Sequence, residues 1–281
     1  MKVAICKTVR KMAQAAAELA AADVSRRIAE SGRATFMAAT GGSQFAFLDA
    51  LTRQRQVDWA RTEMFHLDEY IGLPETHPAS FRRYLQERLL DVIHPGRVHL
   101  INGNAADPLQ ECARLERLMP PDGVDVAFVG IGENGHLAFN DPPADFADEN
   151  LFIVVTLPDS CRSQQVHEGW FSKLEDVPGK AITVTIRGIL KSKCIVAVVP
   201  EERKAVAIRC ALSGGVRSEC PHPPCWSTRG RTSSWTRRRH PCWIGRPYCN
   251  TRGSGSEADH EKLPLPNTFE PNAKAALGRD E

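Results

Sequence analysis

The sequence predicts a Rossmann-like α/β protein, a three-layer sandwich in which helices cover both faces of a mainly parallel sheet. Short apolar runs typical of buried strands alternate with stretches of helical periodicity along residues 1–221. Polar, glycine-containing segments follow several of these runs. Because such folds bind ligands outside the carboxyl ends of their strands, we expect the functional residues to gather at that edge.

The first part of the predicted sheet alternates with helices. An apolar run predicts a strand at 34–39, and an amphipathic pattern predicts a helix at 44–54. A second strand is predicted at 63–67. It is followed by a helix at 78–93, with Pro78 near its start, where a missing N–H does no harm.

The same alternation continues to residue 212. A short strand is predicted at 98–101, and a helix at 109–118 separates it from a buried strand at 124–129. Further elements are strands at 152–157, 182–186 and 194–199 and a helix at 202–212. Strands that alternate with helices in this way predict parallel pairing.

Length and composition indicate a soluble globular protein. The chain has 281 residues with 42% hydrophobic content, which is enough to bury a full core. No apolar run reaches the roughly 18 residues that a membrane span needs, and the N-terminus lacks the apolar region of a signal peptide. We therefore expect a cytoplasmic protein with no membrane partner.

The nine cysteines form two groups. Five are scattered singly through the predicted fold: Cys6, Cys112, Cys161, Cys194 and Cys210. Such residues are more often buried small hydrophobes than metal ligands. Four lie in the C-terminal tail near two histidines: Cys220, Cys225, Cys242 and Cys249. Because they lack the paired C-x-x-C spacing of zinc sites, we expect no metal there.

The chain changes character after Pro221. Residues 217–252 contain eight arginines, no lysine and one acid, Glu219, a net charge of +7 in a chain whose total is +2. The remainder therefore sums to −5. One interpretation is an arginine-rich arm that binds nucleic acid or an anionic surface. The other is translation out of frame.

The reading-frame interpretation is supported by the residues themselves. One G inserted before the codon of His222, with permitted codon choices, yields a helical apolar pattern, a strand-like Thr-His-Val-Ile-Met and a second helical run. We therefore predict a folded domain at 1–221 and a frameshifted, disordered tail at 222–281 that binds no nucleic acid. The tail would replace the C-terminal part of the fold.

Two segments at the predicted strand ends suit an anion. The glycines of Thr40-Gly41-Gly42-Ser43, and the helix N-terminus that follows, can present N–H groups to a phosphate. Lys204 lies in the first turn of the last helix, at the same edge. Simpler interpretations are a tight turn for the loop and a solvated side chain for the lysine. Together, however, the two segments favour a phosphate site.

Acid–base groups are predicted at the same edge. Asp68 follows a strand, where partial burial can raise the pKa of its carboxyl and make it a usable base, although such residues usually form turns or caps. The loop at 130–143 combines three glycines, two amides, His136 and Asp141. Imidazole and carboxylate groups can handle protons near neutral pH. This loop therefore predicts catalysis on a small molecule.

These motifs together resemble the glucosamine-6-phosphate isomerase/6-phosphogluconolactonase family. The matching segments are T-G-G-S at 40–43, F-H-L-D-E-Y at 65–70, G-I-G-E-N-G-H-L-A-F-N-D-P at 130–142 and E-R-K-A at 202–205. The resemblance spans residues 30–221. The second and third segments look like the deaminase branch rather than the lactonase branch.

The resemblance implies that residues 1–221 convert glucosamine 6-phosphate and water to fructose 6-phosphate and ammonia. It implies a sugar-phosphate partner, no metal or organic cofactor and, as in many family members, the option of a homo-oligomer. His136 would assist ring opening, Asp68 would move a proton between carbons 2 and 1, and Asp141 would orient His136. The phosphate would be held by Thr40, Gly41, Gly42, Ser43 and Lys204.

This chain departs from the family pattern at two positions. The pattern most often has Asp where Asn134 stands and Glu where Asp141 stands; Asn134 is still assigned to the catalytic group. The family's phosphate-binding arginine has no secure counterpart, and Arg162 is the nearest. Two alternatives are an impaired or non-catalytic sugar-phosphate-binding homologue and a 6-phosphogluconolactonase-type hydrolase. The presence of Asp68 argues against the non-catalytic homologue, because a protein that only binds the sugar phosphate does not need a catalytic base.

Overall fold

The structure, a computed structural model, describes residues 3–212, and within them eight strands form two sheets. The strands are β1 (Ala34–Ala38), β2 (Thr62–His66), β3 (Asp68–Tyr70), β4 (Arg97–His99), β5 (Val126–Val129), β6 (Phe152–Thr156), β7 (Lys180–Val184) and β8 (Cys194–Ala197). The central sheet has the order β4-β2-β1-β5-β8, and every pairing in it is parallel. The predicted α/β class with a mainly parallel central sheet is confirmed.

Helices cover both faces of the central sheet. They are α1 (Val9–Ser31), α2 (Phe45–Thr52), α3 (Phe81–Leu85), α4 (Asp91–Ile93), α5 (Pro108–Leu118), α6 (Asp159–His167), α7 (Ile186–Leu190) and α8 (Ala205–Leu212). Alternate strand residues point to opposite faces. Phe36 and Phe128 pack with α1 and α2, whereas Met37 and Ala127 pack with α5, α7 and α8. Fully burying a side chain such as Phe36 contributes about 1.5–3 kcal/mol of transfer free energy.

Two predicted strands belong to a second sheet. β6 and β7 pair antiparallel with each other, and β7 also pairs antiparallel with β3, giving the order β3-β7-β6. Placing 152–157 and 182–186 in the central sheet was therefore wrong. The order of strands and helices along the chain does not show which sheet a strand joins. The apolar residues of these two strands could be buried equally well in either sheet.

The helix α1 was not predicted. Its buried stripe consists largely of alanines, including Ala16, Ala17 and Ala20, so its apolar periodicity is weak. The ends carry clear signals, however. The Thr8 hydroxyl accepts a hydrogen bond from the Lys11 N–H, and Gly32 ends the helix in the left-handed region.

The helix predicted at 78–93 begins at Phe81. Ser80 is its N-cap and accepts a hydrogen bond from the Arg83 N–H, so Pro78 lies before the helix rather than in its first turn. A π-helical segment at Gln86–Leu90 joins α3 to α4. The predicted extent was close, but Pro78 was the wrong start signal and Ser80 was the right one.

Several predictions concern features outside the site. Cys112, Cys161 and Cys194 are buried free thiols, as predicted, and Cys6 is half-buried. No helix among residues 3–212 combines the length and apolarity that crossing a membrane requires. The predicted tail at 222–281, with its cysteines and arginines, lies outside the described residues.

Candidate active site

A cavity opens where the strands of the central sheet end. Seven of the nine predicted site residues line it: Thr40, Gly41, Gly42, Ser43, Asp68, His136 and Lys204. These residues follow β1, β2, β5 and β8, so the cavity lies at the carboxyl edge of the sheet, as expected for this class of fold. The other two, Asn134 and Asp141, lie behind His136 and contact it or each other.

The loop of residues 40–43 has a conformation that requires glycine. Gly41 has a φ of 95°, in the region that side chains disfavour. The Tyr84 hydroxyl donates a hydrogen bond to the Gly41 carbonyl at 3.0 Å, which fixes the loop from outside. A short 3-10 turn at Gly42–Gln44 then leads into α2.

Gln44 fixes the hydroxyl of Ser43. Gln44 is fully buried, and its Nε2 donates to Ser43 Oγ and to the Val198 carbonyl, each at 3.3 Å. Because Ser43 Oγ accepts this bond, its own O–H can point to a ligand. A Cβ on Gly130 would lie 3.1 Å from Gln44 Nε2 and 3.3 Å from Ser43 Oγ, so glycine gives both side chains room.

Lys204 is a cationic side chain that lines the same cavity as this loop. It is 5% exposed, and its ammonium donates to Glu201 Oε1 at 2.9 Å. Burial favours the neutral form of Glu201, but the hydrogen bonds and charges of Lys204 and Arg203 together outweigh it and lower the pKa of that carboxyl. Glu201 therefore stays ionised and holds the Lys204 ammonium in place.

Arg203 connects the walls of the cavity mouth. Its guanidinium pairs with Glu201, with Glu133 of the loop at 130–143, and with Glu168 at 3.1 Å. Because Glu133 and Glu168 follow different strands, one arginine ties three separate segments together. Sequence reasoning missed this cluster, since nothing in the local pattern links the three carboxylates.

Asp68 is a buried carboxyl with a raised pKa. The chain leaves β2 at His66, and Asp68 begins β3, where its side chain lines the cavity. Burial raises the pKa of Asp68 to about 8, and the neighbouring charge of Glu69 adds to the effect. A carboxyl with such a pKa can exchange protons near neutral pH.

Glu69 holds the strand that carries Asp68. Its fully buried carboxylate accepts hydrogen bonds from the backbone N–H groups of Tyr70, Phe81 and Arg82, from the Ser80 hydroxyl and from Arg82 Nε. It thereby ties β3 to the first turn of α3. Glu69 was not assigned a role from the sequence, although a carboxylate next to the predicted base is a usable signal.

The histidine contacts Asp141 mainly through Asn134. His136 Nδ1 lies 2.7 Å from Asn134 Oδ1, and Asn134 Nδ2 donates to Asp141 Oδ1 at 2.7 Å. The direct distance from His136 Nδ1 to Asp141 Oδ1 is 3.6 Å, too long for a good hydrogen bond. The shortest hydrogen-bonded connection between Asp141 and His136 therefore runs through the Asn134 amide.

The relay selects one tautomer of the imidazole. Asp141 can only accept, so the Asn134 amide turns its N–H₂ to Asp141 and its oxygen to His136. That oxygen requires a proton on His136 Nδ1, which leaves a lone pair on Nε2. Burial lowers the pKa of His136, Asp141 opposes this effect, and Lys204 adds to it. The imidazole is therefore neutral at pH 7.

In the loop at 130–143, Gly132 leaves space for the ring of His136. A Cβ on Gly132 would lie 2.2 Å from the His136 ring, so only glycine fits there. Asn140 anchors the far end of the loop, since its Nδ2 donates to the Leu137 and Val184 carbonyls. Val184 belongs to β7, so the second sheet holds the loop in place.

Arg162 lies outside the cavity. Its guanidinium pairs with Asp159 at 3.0 Å and donates to the carbonyls of Leu174 and Val177. It therefore ties α6 to the segment that follows. Arg162, the residue nearest to the family's phosphate-binding arginine, is thus not among the residues that line the cavity.

The helix α6 instead supplies polar groups that sequence reasoning missed. Gln164, Gln165, Glu168 and Trp170 line the cavity on or just after this helix. Within residues 3–212, no three His, Cys, Asp or Glu side chains form a group suited to a metal ion.

The chain is similar to several known proteins. A family model described as glucosamine-6-phosphate isomerases/6-phosphogluconolactonase matches residues 7–234. A glucosamine-6-phosphate deaminase of Exiguobacterium sibiricum is 38% identical over 183 residues, 65% of this chain and 71% of the relative. One from Bacillus cereus strain B4264 is 34% identical over 221 residues, 79% of this chain and 81% of the relative.

A solved structure is also similar. It is described as a monomeric glucosamine-6-phosphate deaminase, is 30% identical, and superimposes with a TM-score of 0.72 over 88% of this chain and 98% of its own.

Proposed function

The chain belongs to the glucosamine-6-phosphate isomerase/6-phosphogluconolactonase family, and from that premise we propose that it converts glucosamine 6-phosphate and water to fructose 6-phosphate and ammonia. One observation carries the proposal. A buried carboxyl with a pKa near neutrality, Asp68, shares a cavity with a neutral histidine and a buried lysine. An aldose–ketose isomerisation of a phosphorylated sugar needs these three groups.

The phosphate would bind between the loop and the lysine. Ser43 and Lys204 line the same cavity, and Gly41 and Gly42 allow close approach of the backbone. Binding energy at this non-reacting end would position the sugar carbons beside Asp68. Thr40 lines the same end of the cavity.

Ring opening would be the task of His136. The lone pair on Nε2 can take the proton of the hydroxyl on carbon 1 and return it to the ring oxygen. Asn134 and Asp141 keep the ring oriented during both transfers. The product is the open-chain amino aldehyde.

Asp68 would then carry out the isomerisation. The substrate amine enters as an ammonium. The ionised carboxylate removes the proton from carbon 2 while the ammonium gives one proton to the carbonyl oxygen of carbon 1, and the resulting enol receives the carbon 2 proton back from Asp68 at carbon 1. Carbon 2 is left bonded to nitrogen as an iminium, which water hydrolyses to the ketone and ammonia. Atoms balance with water as the only co-reactant.

The direct test is to measure both products. Purified full-length chain, and a version with one G inserted before codon 222, would be incubated with glucosamine 6-phosphate, and ammonia and fructose 6-phosphate would be quantified. Equal amounts of the two products are expected. Hydrolysis of 6-phosphogluconolactone without ammonia release from the amino sugar would instead support the lactonase alternative.

The activity should depend on the ionisation of Asp68. Because only the carboxylate can accept a proton, and burial raises its pKa to about 8, kcat/KM should rise with pH through a midpoint near that value. A pH–rate profile from 5.5 to 9.5 would measure it. A Ser43→Ala variant, which alters no charge, should keep the midpoint. A flat profile between pH 6 and 9 would contradict the assignment.

We also propose that residues beyond Pro221 are translated out of frame. The support is the break in composition and the regular helix–strand–helix pattern that one inserted base produces. Sequencing the locus around codon 222 from independent isolates should reveal the missing base. Identical reads that preserve the printed frame would refute the proposal.

A further inference from the structure

A glutamine on α6 is held rigidly above β3. The Tyr70 hydroxyl donates a hydrogen bond to Gln165 Oε1 at 3.0 Å. Tyr70 is fully buried, and its ring packs against Phe81, Phe139 and Phe171. Gln165 is 8% exposed. Both side chains are therefore fixed by packing as well as by the bond between them.

This bond determines which end of the amide faces the cavity. With Oε1 engaged by Tyr70, the Nε2 of Gln165 carries two N–H donors, and the residue lines the cavity. Among residues 3–212, no protein group accepts a hydrogen bond from this nitrogen, yet the nitrogen is not enclosed. A buried side chain thus presents a fixed, unused donor to whatever fills the cavity.

The donor lies near the proposed base. Asp68 and Tyr70 are two residues apart on β3, so their side chains point to the same face, about 7 Å apart along the strand. The amide that Tyr70 holds and the Asp68 carboxyl line the same cavity. Lys204, which follows β8, lines it as well.

We propose that Gln165 is a specificity-determining residue whose Nε2 donates a hydrogen bond to a sugar oxygen beside the carbon that Asp68 deprotonates. The inference rests on the proposed function and adds a recognition contact to it. An amide donor matches a hydroxyl or carbonyl oxygen at this position. A site built around such a donor discriminates against an analogue that lacks the oxygen, because the donor is then buried without a partner.

Variants of the pair test the inference. Gln165→Leu keeps the size but removes the donor, and kcat/KM should fall by about 10–100-fold. Gln165→Glu replaces the donor with a carboxylate close to Asp68 and should lose at least as much. Tyr70→Phe frees the amide to turn and should lose less, about 3–10-fold, with no further loss when combined with Gln165→Leu.

Binding of a ligand that cannot react separates this inference from the proposed function. The reduced, open-chain alditol of glucosamine 6-phosphate retains the sugar oxygens, and calorimetry should show weaker binding to Gln165→Leu than to the unmodified chain. Suppose that Gln165→Leu weakens alditol binding but that neither the unmodified chain nor its frame-restored version releases ammonia. The deaminase function would then be overturned, while the hydrogen bond from Gln165 to the sugar would stand. Gln110→Leu, on the exposed side of α5, is the matched control.

A purely structural role predicts a different result. If the Tyr70–Gln165 bond served only the fold, the variants would lower the melting temperature while leaving alditol affinity and kcat/KM at the control's values. That result would overturn the inference, as would a Tyr70→Phe effect that persists undiminished in the Gln165→Leu background.

Discussion

Replacing Asp68 by asparagine is expected to reduce ammonia release by about 10³-fold or more while leaving sugar-phosphate binding intact. Asparagine has almost the same shape but cannot accept the proton of carbon 2. Ser43 and Lys204, to which we assign the phosphate, lie on other segments and are not altered by the substitution. Product assays would measure turnover, and calorimetry with the open-chain alditol would measure binding.

The same substitution should stabilise the protein at high pH. The pKa of Asp68 is about 8 in the folded state, against an ordinary value of 3.8, so the folded chain retains a proton that the unfolded chain loses. The corresponding stability is present below about pH 4 and disappears as the pH rises through 8. The Asp68→Asn variant has no ionisable group at this position, so it does not lose this stability as the pH rises.

The melting temperatures of the two proteins should therefore be similar near pH 4 and separate by several degrees above pH 8, with the variant higher. Asp49→Asn, on the exposed side of α2, should show no such divergence. Loss of activity together with higher stability above pH 8 would show that Asp68 serves catalysis at a cost in stability. A variant that remained active, or that melted lower at pH 9, would contradict this role.

The sequence could predict which segments meet but not how their side chains connect. Residues that follow parallel strands converge at one sheet edge by the topology alone. Asp68, His136 and Lys204 were therefore predictable as neighbours, although they lie far apart along the chain. This reasoning requires only that the strands before these residues run parallel in one sheet, which the alternation of strands and helices predicts.

The missed features depend on contacts between distant segments. Gln165 acquires its orientation from Tyr70, 95 residues away, and Glu69 is satisfied by groups 11 to 13 residues further on. Neither residue is unusual in its local sequence. The second sheet was missed for a similar reason, since pairing of β3 with β7 is decided by packing rather than by either strand's pattern.

Asn134 stands where the family pattern most often has Asp, and its contacts in the structure suit an amide. An ionised carboxylate there would accept a hydrogen bond from His136 but would also face Asp141 at about the 2.7 Å now spanned by a hydrogen bond. Two like charges so close are unfavourable. With Asp141 in place, an amide can donate to it and accept from His136 at once.

Asn134→Leu should therefore lower kcat/KM by about 10²–10⁴-fold, since loss of the orienting group leaves the imidazole free to adopt the wrong tautomer. If His136 serves ring opening, that step should become rate-limiting in the variant. The deuterium isotope effect for substrate labelled at carbon 2 should then shrink towards unity, because carbon 2 chemistry no longer limits the rate.

Two further variants make the result specific. Asn134→Asp still accepts from His136 Nδ1, so it should retain more activity than Asn134→Leu, with the pKa of His136 raised by the added negative charge. Asn150→Leu, an exposed asparagine in the loop before β6, should behave like the unmodified chain. An undiminished isotope effect in Asn134→Leu would place the loss at carbon 2 instead. His136 and its relay would then act on the same step as Asp68.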